Sequence, residues 1–276
     1  MIENKIKVSE LPPAARTLLI PLAYRAEESR RSDALLRDDM AAALMGQFDE
    51  DYFRLVRGQR MERVCVLMRA RQLDRYARDF VAAHPGAIVA DIGCGLDTRA
   101  SRMDPETTTW YGLDFPEVIA LRERLLSKQR NEIWIAQSVM DFSWMDMIAR
   151  ERRPVIFLAE GVMPYLEERE VRRLILRLTD CFPGAEMAFD AINHFSALAH
   201  RLTHKGIRQA GARLGWWLND GRELETWSPR VRLLEEWTYF SQDEQRLRKY
   251  RWMRHFKTFL RANRILHLRF SDPEKG

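Results

Sequence analysis

Residues 89–99 read Val89-Ala-Asp91-Ile-Gly93-Cys-Gly95-Leu-Asp97-Thr-Arg99. A short apolar run ends in Asp91, and the chain then turns on two glycines. A second strand-like run over residues 109–113 ends in Asp114. Glycine lets the backbone approach a ligand closely, and an acid at the end of the next strand can bind ribose hydroxyls. The stretch therefore predicts a site for a cofactor that contains a nucleoside.

Two other glycine motifs compete with this interpretation. A dinucleotide fold of the nicotinamide oxidoreductases has a third glycine, G-x-G-x-x-G, but Thr98 stands at that position. A phosphate-binding P-loop ends in Gly-Lys-Ser/Thr, which the stretch lacks. A tight strand-to-helix turn without any ligand is the remaining alternative on spacing alone.

The motif becomes specific in combination with other segments. Residues 91–99, followed by Leu113-Asp114-Phe115-Pro116, resemble the S-adenosylmethionine-dependent methyltransferases of the leucine carboxyl methyltransferase family. Within that family, the polyketide O-methyltransferase-like branch is the most similar. Further matching segments are residues 17–29, Arg69 with Asp74, and Ala159-Glu160-Gly161-Val162-Met163-Pro164-Tyr165-Leu166. The resemblance covers most of residues 11–192.

The order of apolar runs predicts the fold class. Short apolar runs at residues 88–90, 109–113, 133–136, 155–159 and 186–192 alternate with helical patterns. Such alternation is typical of β-α-β units and of a doubly wound α/β sheet. The resemblance implies a Rossmann-like methyltransferase fold with seven mostly parallel strands, the last of them antiparallel.

A single domain over residues 1–276 divides into four predicted regions. They are an N-terminal helical cap (1–60), a cofactor-binding core (61–192), a lid or acceptor insertion (193–232), and C-terminal strands with a basic helix (233–276). Helices are predicted over residues 12–45 and 61–83, and strands over 235–240 and 265–270. The glycines of the insertion permit hinge motion, and Trp216-Trp217 offer apolar area to an acceptor.

Composition excludes several classes of protein. Hydrophobic residues make up 46% of 276, yet no apolar run approaches the ~20 residues that span a membrane. Three scattered cysteines form no C-x-x-C pair, which indicates neither a zinc site nor a disulfide framework. The N-terminus lacks the apolar segment of a signal peptide. We expect a cytoplasmic protein that requires no metal and does not bind membranes.

The net charge of +5 reflects 45 basic against 40 acidic residues. Residues 246–257 interleave arginines with aromatic side chains, a pattern that nucleic-acid binders also use. A basic amphipathic helix that buries its aromatic side chains is the favoured interpretation, since charge runs are usually solvated. Nucleic acid is therefore not the expected partner, and the sequence does not predict an oligomeric state.

Acidic side chains end the predicted strands, at the edge where parallel sheets bind their ligands. They are Asp91, Asp114, Asp141 and Glu160. An isolated acid at such a position is often only a helix cap. The resemblance implies a more specific set of cofactor contacts: ribose to Asp114, adenine to Asp141 and Phe142, the methionine moiety to Glu160, and backbone contacts to Gly93 and Gly95.

Two arginines are further candidates for the cofactor site. Arg69 matches the family arginine that binds the cofactor carboxylate, and a guanidinium fork suits that group. Because its helix is rich in arginine, a solvent-exposed Arg69 is the alternative. Arg25 lies near the N-terminal cofactor contact that the resemblance implies.

Catalytic residues remain unassigned by the sequence. His194, His200 and His204 follow the fifth predicted strand at the edge of the expected acceptor pocket, and one of them is a candidate base. For each histidine taken singly, an ordinary polar residue of the insertion is the favoured interpretation. Tyr24 and Tyr165 are further candidates to line the pocket.

The predicted activity is O-methylation of a small molecule with S-adenosylmethionine as cofactor. The acceptor is a carboxylate or phenol, for example of a polyketide-like secondary metabolite. Three alternatives stay open: a protein C-terminal carboxyl methyltransferase, a tRNA-modifying relative, and a catalytically silent cofactor-binding partner subunit.

Overall fold

A computed structural model describes residues 5–10, 13–49, 60–103, 108–203 and 213–272. Seven strands form one sheet in the order β3-β2-β1-β4-β5-β7-β6. Their bounds are β1 Ile88–Ile92, β2 Thr109–Asp114, β3 Glu132–Ala136, β4 Val155–Ala159, β5 Glu186–Ile192, β6 Val231–Thr238 and β7 Asn263–Phe270. Strands β1 to β5 pair in parallel, while β7 runs antiparallel to both neighbours. The predicted sheet, including its reversed last strand, is confirmed.

Helices cover both faces of this sheet. They are α1 Pro13–Ser29, α2 Asp39–Met45, α3 Arg60–Ala83, α4 Pro116–Leu125, α5 Ser143–Ala149, α6 Glu168–Cys181, α7 His194–Thr203 and α8 Lys257–Leu260. Side chains of β1 alternate between the two layers: Ile88 and Ile92 pack on the side of α5 and α6, and Val89 packs on the side of α3. Burial on both faces explains why the strands read as continuous apolar runs.

The order in which the strands are connected determines which edge of the sheet can bind a ligand. The chain builds outward from β1 to β3 and then returns to β4 on the other side of β1. Loops after β1 and β4 therefore leave in opposite directions, which opens a crevice at the carboxyl ends of these two strands.

The helix predicted over residues 12–45 is wrong in its middle. α1 ends at Ser29 and α2 begins at Asp39. Asp38 caps α2 by accepting a hydrogen bond from the Ala41 amide at 2.9 Å, and its other oxygen binds Arg25. The break thus depends on an ion pair that joins the segment before α2 to α1, which local helix propensity does not reveal.

The basic C-terminal helix is also corrected. Residues Gln245–His255 form a 3₁₀ helix, and Trp252 and Phe256 are exposed by 53% and 55%. The 3₁₀ helix repeats every three residues, so Leu247, Tyr250 and Met253 align on the side that packs under α3. An α-helical period of 3.6 residues would have buried a different set of side chains. Of the aromatic side chains that we expected inside, Trp252 and Phe256 therefore face solvent, whereas Tyr250 packs against the core.

The predicted insertion is partly regular structure. Residues 194–203 form α7, residues 204–212 lie outside the described part, and β6 begins at Val231 rather than at residue 235. Trp216 is 2% exposed and packs against Phe189 and Trp227, with ring centroids 6.3 and 6.4 Å away. The expectation that it offers area to an acceptor is wrong, because it completes the core beside β5. Trp217 is 38% exposed.

The two adjacent tryptophans should differ sharply in their contribution to stability. We expect Trp216→Ala to lower the free energy of unfolding by about 3–5 kcal/mol, the range for removing a large core side chain. Trp217→Ala serves as the matched control and should change it by less than about 1 kcal/mol. Urea titration followed by circular dichroism measures both. Similar losses in the two variants would contradict the placement of Trp216 in the core.

Candidate cofactor site

The glycine turn after β1 lies at the crevice. Gly93 and Gly95 have φ values of +70° and +47°, a region that side chains rarely adopt. A Cβ on Gly93 would lie 2.3 Å from Cγ2 of Val162 in the loop after β4. The Gly93 and Cys94 amides both donate to the Leu113 carbonyl, at 2.7 and 3.1 Å. The turn is thus held between the ends of β2 and β4, where any side chain would clash.

Asp114 faces this turn from the end of β2. Its carboxylate accepts hydrogen bonds from the amides of Gly95 and Phe115, both at 2.8 Å. Burial raises the pKa of Asp114, whereas the two amides and the Arg122 guanidinium lower it. A half-buried carboxylate keeps further lone pairs for a ligand, since two oxygens accept about four hydrogen bonds. The position suits recognition of neighbouring hydroxyl groups.

Asp91 lies deeper, as the fourth residue of β1. It is 6% exposed, and burial together with the charge of Asp97 raises its pKa to about 8. Arg99 opposes this rise, with its guanidinium 3.7 Å from the Asp91 carboxylate. Burial thus disfavours the ionised form of Asp91, while the nearby arginines lower the pKa of Asp97.

A buried ion network supports the turn from the α3 side. The guanidinium of Arg99 is 1% exposed and binds Asp74 at 2.5 Å, Asp97 at 2.6 Å and Glu160 at 2.6 Å. Arg102 bridges Asp74 and Asp38 at 2.9 and 2.6 Å. Buried charges are tolerated only when their partners compensate the lost hydration. These contacts tie α3, the glycine turn and the end of β4 to one another.

Arg69 belongs to the crevice and not to the solvent-exposed face of α3. Its Nε donates to Glu160 at 3.0 Å and its Nη1 to Asp190 at 3.1 Å, and the side chain is only 18% exposed. Burial opposes its charge, but Asp190 and Glu160 raise its pKa. A Cβ on Gly161 would lie 3.8 Å from Nη2. The guanidinium therefore stays charged beside the glycine that follows β4.

Arg25 lies inside the ion network. It is 3% exposed and donates through Nε to Asp38 at 2.9 Å and through Nη2 to the Leu96 carbonyl at 3.3 Å. Arg25 thus lies beside the glycine turn, and its described donors are directed at protein groups. In this arrangement Arg25 holds the backbone of the turn.

Asp141 and Phe142 follow β3 at the rim of the crevice. Asp141 is exposed, and hydrogen bonds from Gln137 and Ser143 lower its pKa. The Phe142 ring lies under the guanidinium groups of Arg173 and Arg177, at 5.0 and 6.0 Å, and packs against the core on the α6 side. The ring of Phe142 is therefore already engaged by protein side chains.

The acceptor candidates occupy different environments. Tyr24 is fully buried and Tyr165 is 40% exposed, and burial raises the pKa of both phenols. Tyr165 stands near Arg69 and Asp190, whose charges act on it. His194 is exposed, with its ring 5.5 Å from that of Trp217. The side chain of His200 and all of His204 lie outside the described residues.

Several residues of the site went unnoticed in the sequence. Asp97 and Arg99 stand inside the motif that decided the fold, and Asp190 was assigned only to a strand. Asp38, Arg102 and Arg122 carry no motif, because each acquires its role through a partner distant in sequence. The Asp97-Thr98-Arg99 tripeptide inside the motif is the local signal that points to the network.

Within the ranges that the structure describes, no helix combines the length and the apolar character needed to cross a membrane. The same ranges contain no group of three or more His, Cys, Asp or Glu side chains placed to hold a metal ion. The cysteines described there, Cys65, Cys94 and Cys181, are all unpaired thiols.

Comparison with known structures shows the same fold. A putative methyltransferase from Thermobifida fusca matches with a TM-score of 0.54 at 18% identity, over 95% of this chain and 100% of that one. Magnesium protoporphyrin IX methyltransferase from Synechocystis PCC 6803, solved with bound S-adenosylhomocysteine, matches with a TM-score of 0.50 at 14% identity, over 84% and 94%.

Sequence comparison identifies the family. The leucine carboxyl methyltransferase family matches residues 19–179. The tetracenomycin polyketide synthesis O-methyltransferase TcmP of Streptomyces glaucescens is 36% identical over 80% of this chain and 82% of its own length. The S-adenosyl-L-methionine-dependent methyltransferase dpfgK of Gibberella zeae is 30% identical over 92% and 91%. The chain therefore belongs to the leucine carboxyl methyltransferase family and is an S-adenosylmethionine-dependent methyltransferase.

Proposed function

We propose that this methyltransferase acts on an oxygen atom of a small molecule, a carboxylate or a phenol of a polyketide-like secondary metabolite, in the cytoplasm and without a metal. The name of the TcmP relative supports oxygen as the acceptor atom and a polyketide as its class. The observation that supports binding of S-adenosylmethionine is the hydrogen bond from the Gly95 amide to the Asp114 carboxylate at the crevice.

The residues of the crevice fit the parts of S-adenosylmethionine. Asp114 would bind the ribose hydroxyls, Gly93 and Gly95 give the backbone room for close approach, and Asp141 with Phe142 would border the adenine. Arg69 beside Glu160 and Asp190 offers one cation and two anions, which suits the carboxylate and ammonium of the methionine moiety. Bound S-adenosylmethionine supplies an electrophilic methyl group.

For methyl transfer, the protein chiefly has to hold the acceptor oxygen in line with the methyl group and to exclude water. Because burial raises the pKa of Tyr24 and Tyr165, both phenols stay protonated at neutral pH and act as hydrogen-bond donors rather than bases. A carboxylate acceptor needs no base, so these side chains favour it. For a phenol, His194 is the proposed base, and the segment from α7 to β6 is the proposed lid.

One observation favours a second candidate, a nucleic-acid substrate. Trp252 and Phe256 are exposed within the basic stretch over residues 246–257. Exposed aromatic rings among cations can stack with bases. Two of the cations are already neutralised, however, since Arg246 pairs with Glu28 and Arg251 pairs with Asp243. The small-molecule acceptor remains the proposal.

Asp114→Asn should weaken binding of S-adenosylhomocysteine by about 1–3 kcal/mol, because the amide cannot accept from hydroxyls with both atoms. The pKa of Asp114 is raised, so affinity of the wild type should increase as pH rises through that pKa, and the variant should lack this dependence. Titration calorimetry between pH 4 and 8 measures both. Glu123→Gln, on the exposed face of α4, is the control. Unchanged affinity in Asp114→Asn, or tight binding of NAD, would contradict the site.

Arg69→Lys should weaken cofactor binding although it preserves the charge, because an ammonium cannot span Glu160, Asp190 and a ligand carboxylate as a planar fork does. We expect a rise in the KM for S-adenosylmethionine of tenfold or more. Arg71→Lys, on the exposed face of the same helix, should leave the KM unchanged. Equal values for the two variants would show that Arg69 only braces β4 against β5.

The substrate class is tested with labelled cofactor against a small-molecule extract and against total RNA from the source. We expect label in an organic-extractable ester or ether, with activity that survives EDTA. Label in RNA, lost when Arg248 and Arg254 are neutralised and weakened steeply by salt, would overturn the proposal. Cofactor binding with no turnover on either pool would indicate a silent partner subunit.

A further inference from the structure

Arg122 projects from α4 into the back of the glycine turn. The residue is 3% exposed. Its Nη1 donates to the carbonyls of Gly95 at 3.0 Å and Asp97 at 2.7 Å, with the Cys94 carbonyl at 3.5 Å. One guanidinium nitrogen therefore contacts three of the carbonyls that define the course of the turn. No sequence motif assigns a function to Arg122.

Glu132 at the start of β3 fixes the orientation of Arg122. Its Oε1 accepts from Nη2 at 2.8 Å, and its side chain is 7% exposed. The indole of Trp134 lies 4.9 Å from the guanidinium carbon on the same side. A planar guanidinium held by a buried carboxylate and an aromatic ring has little rotational freedom, so its Nη1 stays directed at the turn.

Hydrogen bonds consequently hold both backbone polar groups of Gly95. Its amide donates to Asp114, and its carbonyl accepts from Arg122. The same guanidinium lowers the pKa of Asp91 and of Asp114. Arg122 thus acts on the shape of the turn and on the ionisation of the carboxylate beside it.

We propose that Arg122, oriented by Glu132, is a positioning residue that sets the glycine turn in its cofactor-binding form. The inference rests on the proposed cofactor site. Arg122 has no direct contact with ligand in this proposal, and it acts through Gly95 and Asp114. Cofactor affinity depends on it because amides and carbonyls displaced by a fraction of an ångström no longer match the ligand.

A matched control exists at the opposite end of the sheet. Arg153 donates to the carbonyls of Gly86 and Ala87 just before β1, and it pairs with Glu151 at 2.6 Å. This arginine also joins backbone carbonyls to an acid, but at the amino ends of the strands. Its removal tests the loss of such a contact without touching the crevice.

The experiment compares Arg122→Lys, Arg122→Met, the double variant Arg122→Met/Glu132→Met, and Arg153→Met. Binding of S-adenosylhomocysteine is measured by calorimetry and thermal stability by the melting temperature. Arg122→Met leaves Glu132 buried without its partner, so it should lower the melting temperature. Replacing both charges with methionine should restore much of it.

We expect affinity to fall tenfold or more in every Arg122 variant, the double variant included, and to change less than twofold in Arg153→Met. The onset of binding should also shift to higher pH in Arg122→Met, because the pKa of Asp114 rises without the cation; a purely structural residue would not move that profile. A double variant with restored stability and wild-type affinity would overturn the inference. A wild type that binds no S-adenosylhomocysteine would overturn the proposed site and the inference with it.

Discussion

The buried guanidinium of Arg99 is the contact on which the architecture of the crevice depends. It joins Asp74 of α3, Asp97 of the glycine turn and Glu160 at the end of β4, three elements that approach one another only in the folded chain. Lysine could not replace it, since a single ammonium cannot direct donors to three carboxylates in one plane. Without this contact, the acids of these three elements would be compensated only in part, by Arg69 and Arg102.

In the crevice, arginine side chains therefore compensate the charges of nearby carboxylates. Arg25, Arg69 and Arg102 extend the network around Arg99. The nearby arginines lower the pKa of Asp97, whereas Asp91 lies deeper and burial raises its pKa. A site assembled this way has fixed dipoles and charges before any ligand arrives, which is the condition for binding without large rearrangement.

The proposed cofactor side and the proposed acceptor side differ in how closely their residues are confined. The turn is confined by Asp114 and Arg122, and Leu18 of α1 lies 3.1 Å from where a Gly95 Cβ would be. Tyr165 and His194 are exposed and have fewer fixed contacts. A constrained cofactor side combined with an open acceptor side fits a family that keeps one methyl donor while its acceptors vary, because specificity can change without disturbing the network.

The sequence by itself determined the elements whose signal is local. Apolar runs located β1 to β5, the 3.6-residue period located α3, and the glycines with Asp114 located the Gly93–Gly95 turn at the carboxyl ends of β1 and β2. A strand buried on both faces and a turn that excludes side chains each leave a continuous mark in the chain. These features were correct because short-range sterics and hydrophobicity decide them.

Only the tertiary structure decided which charged side chains pair and which aromatic side chains are buried. Arg69 was recognised by its place in a motif, but that it binds Glu160 and Asp190 follows from the pairing of β4 with β5. Trp216 and Trp252 look alike in the sequence, yet one lies in the core and the other in solvent. Electrostatic pairing and burial depend on elements that are distant in the chain, so the sequence presents the groups and the fold alone determines which of them meet.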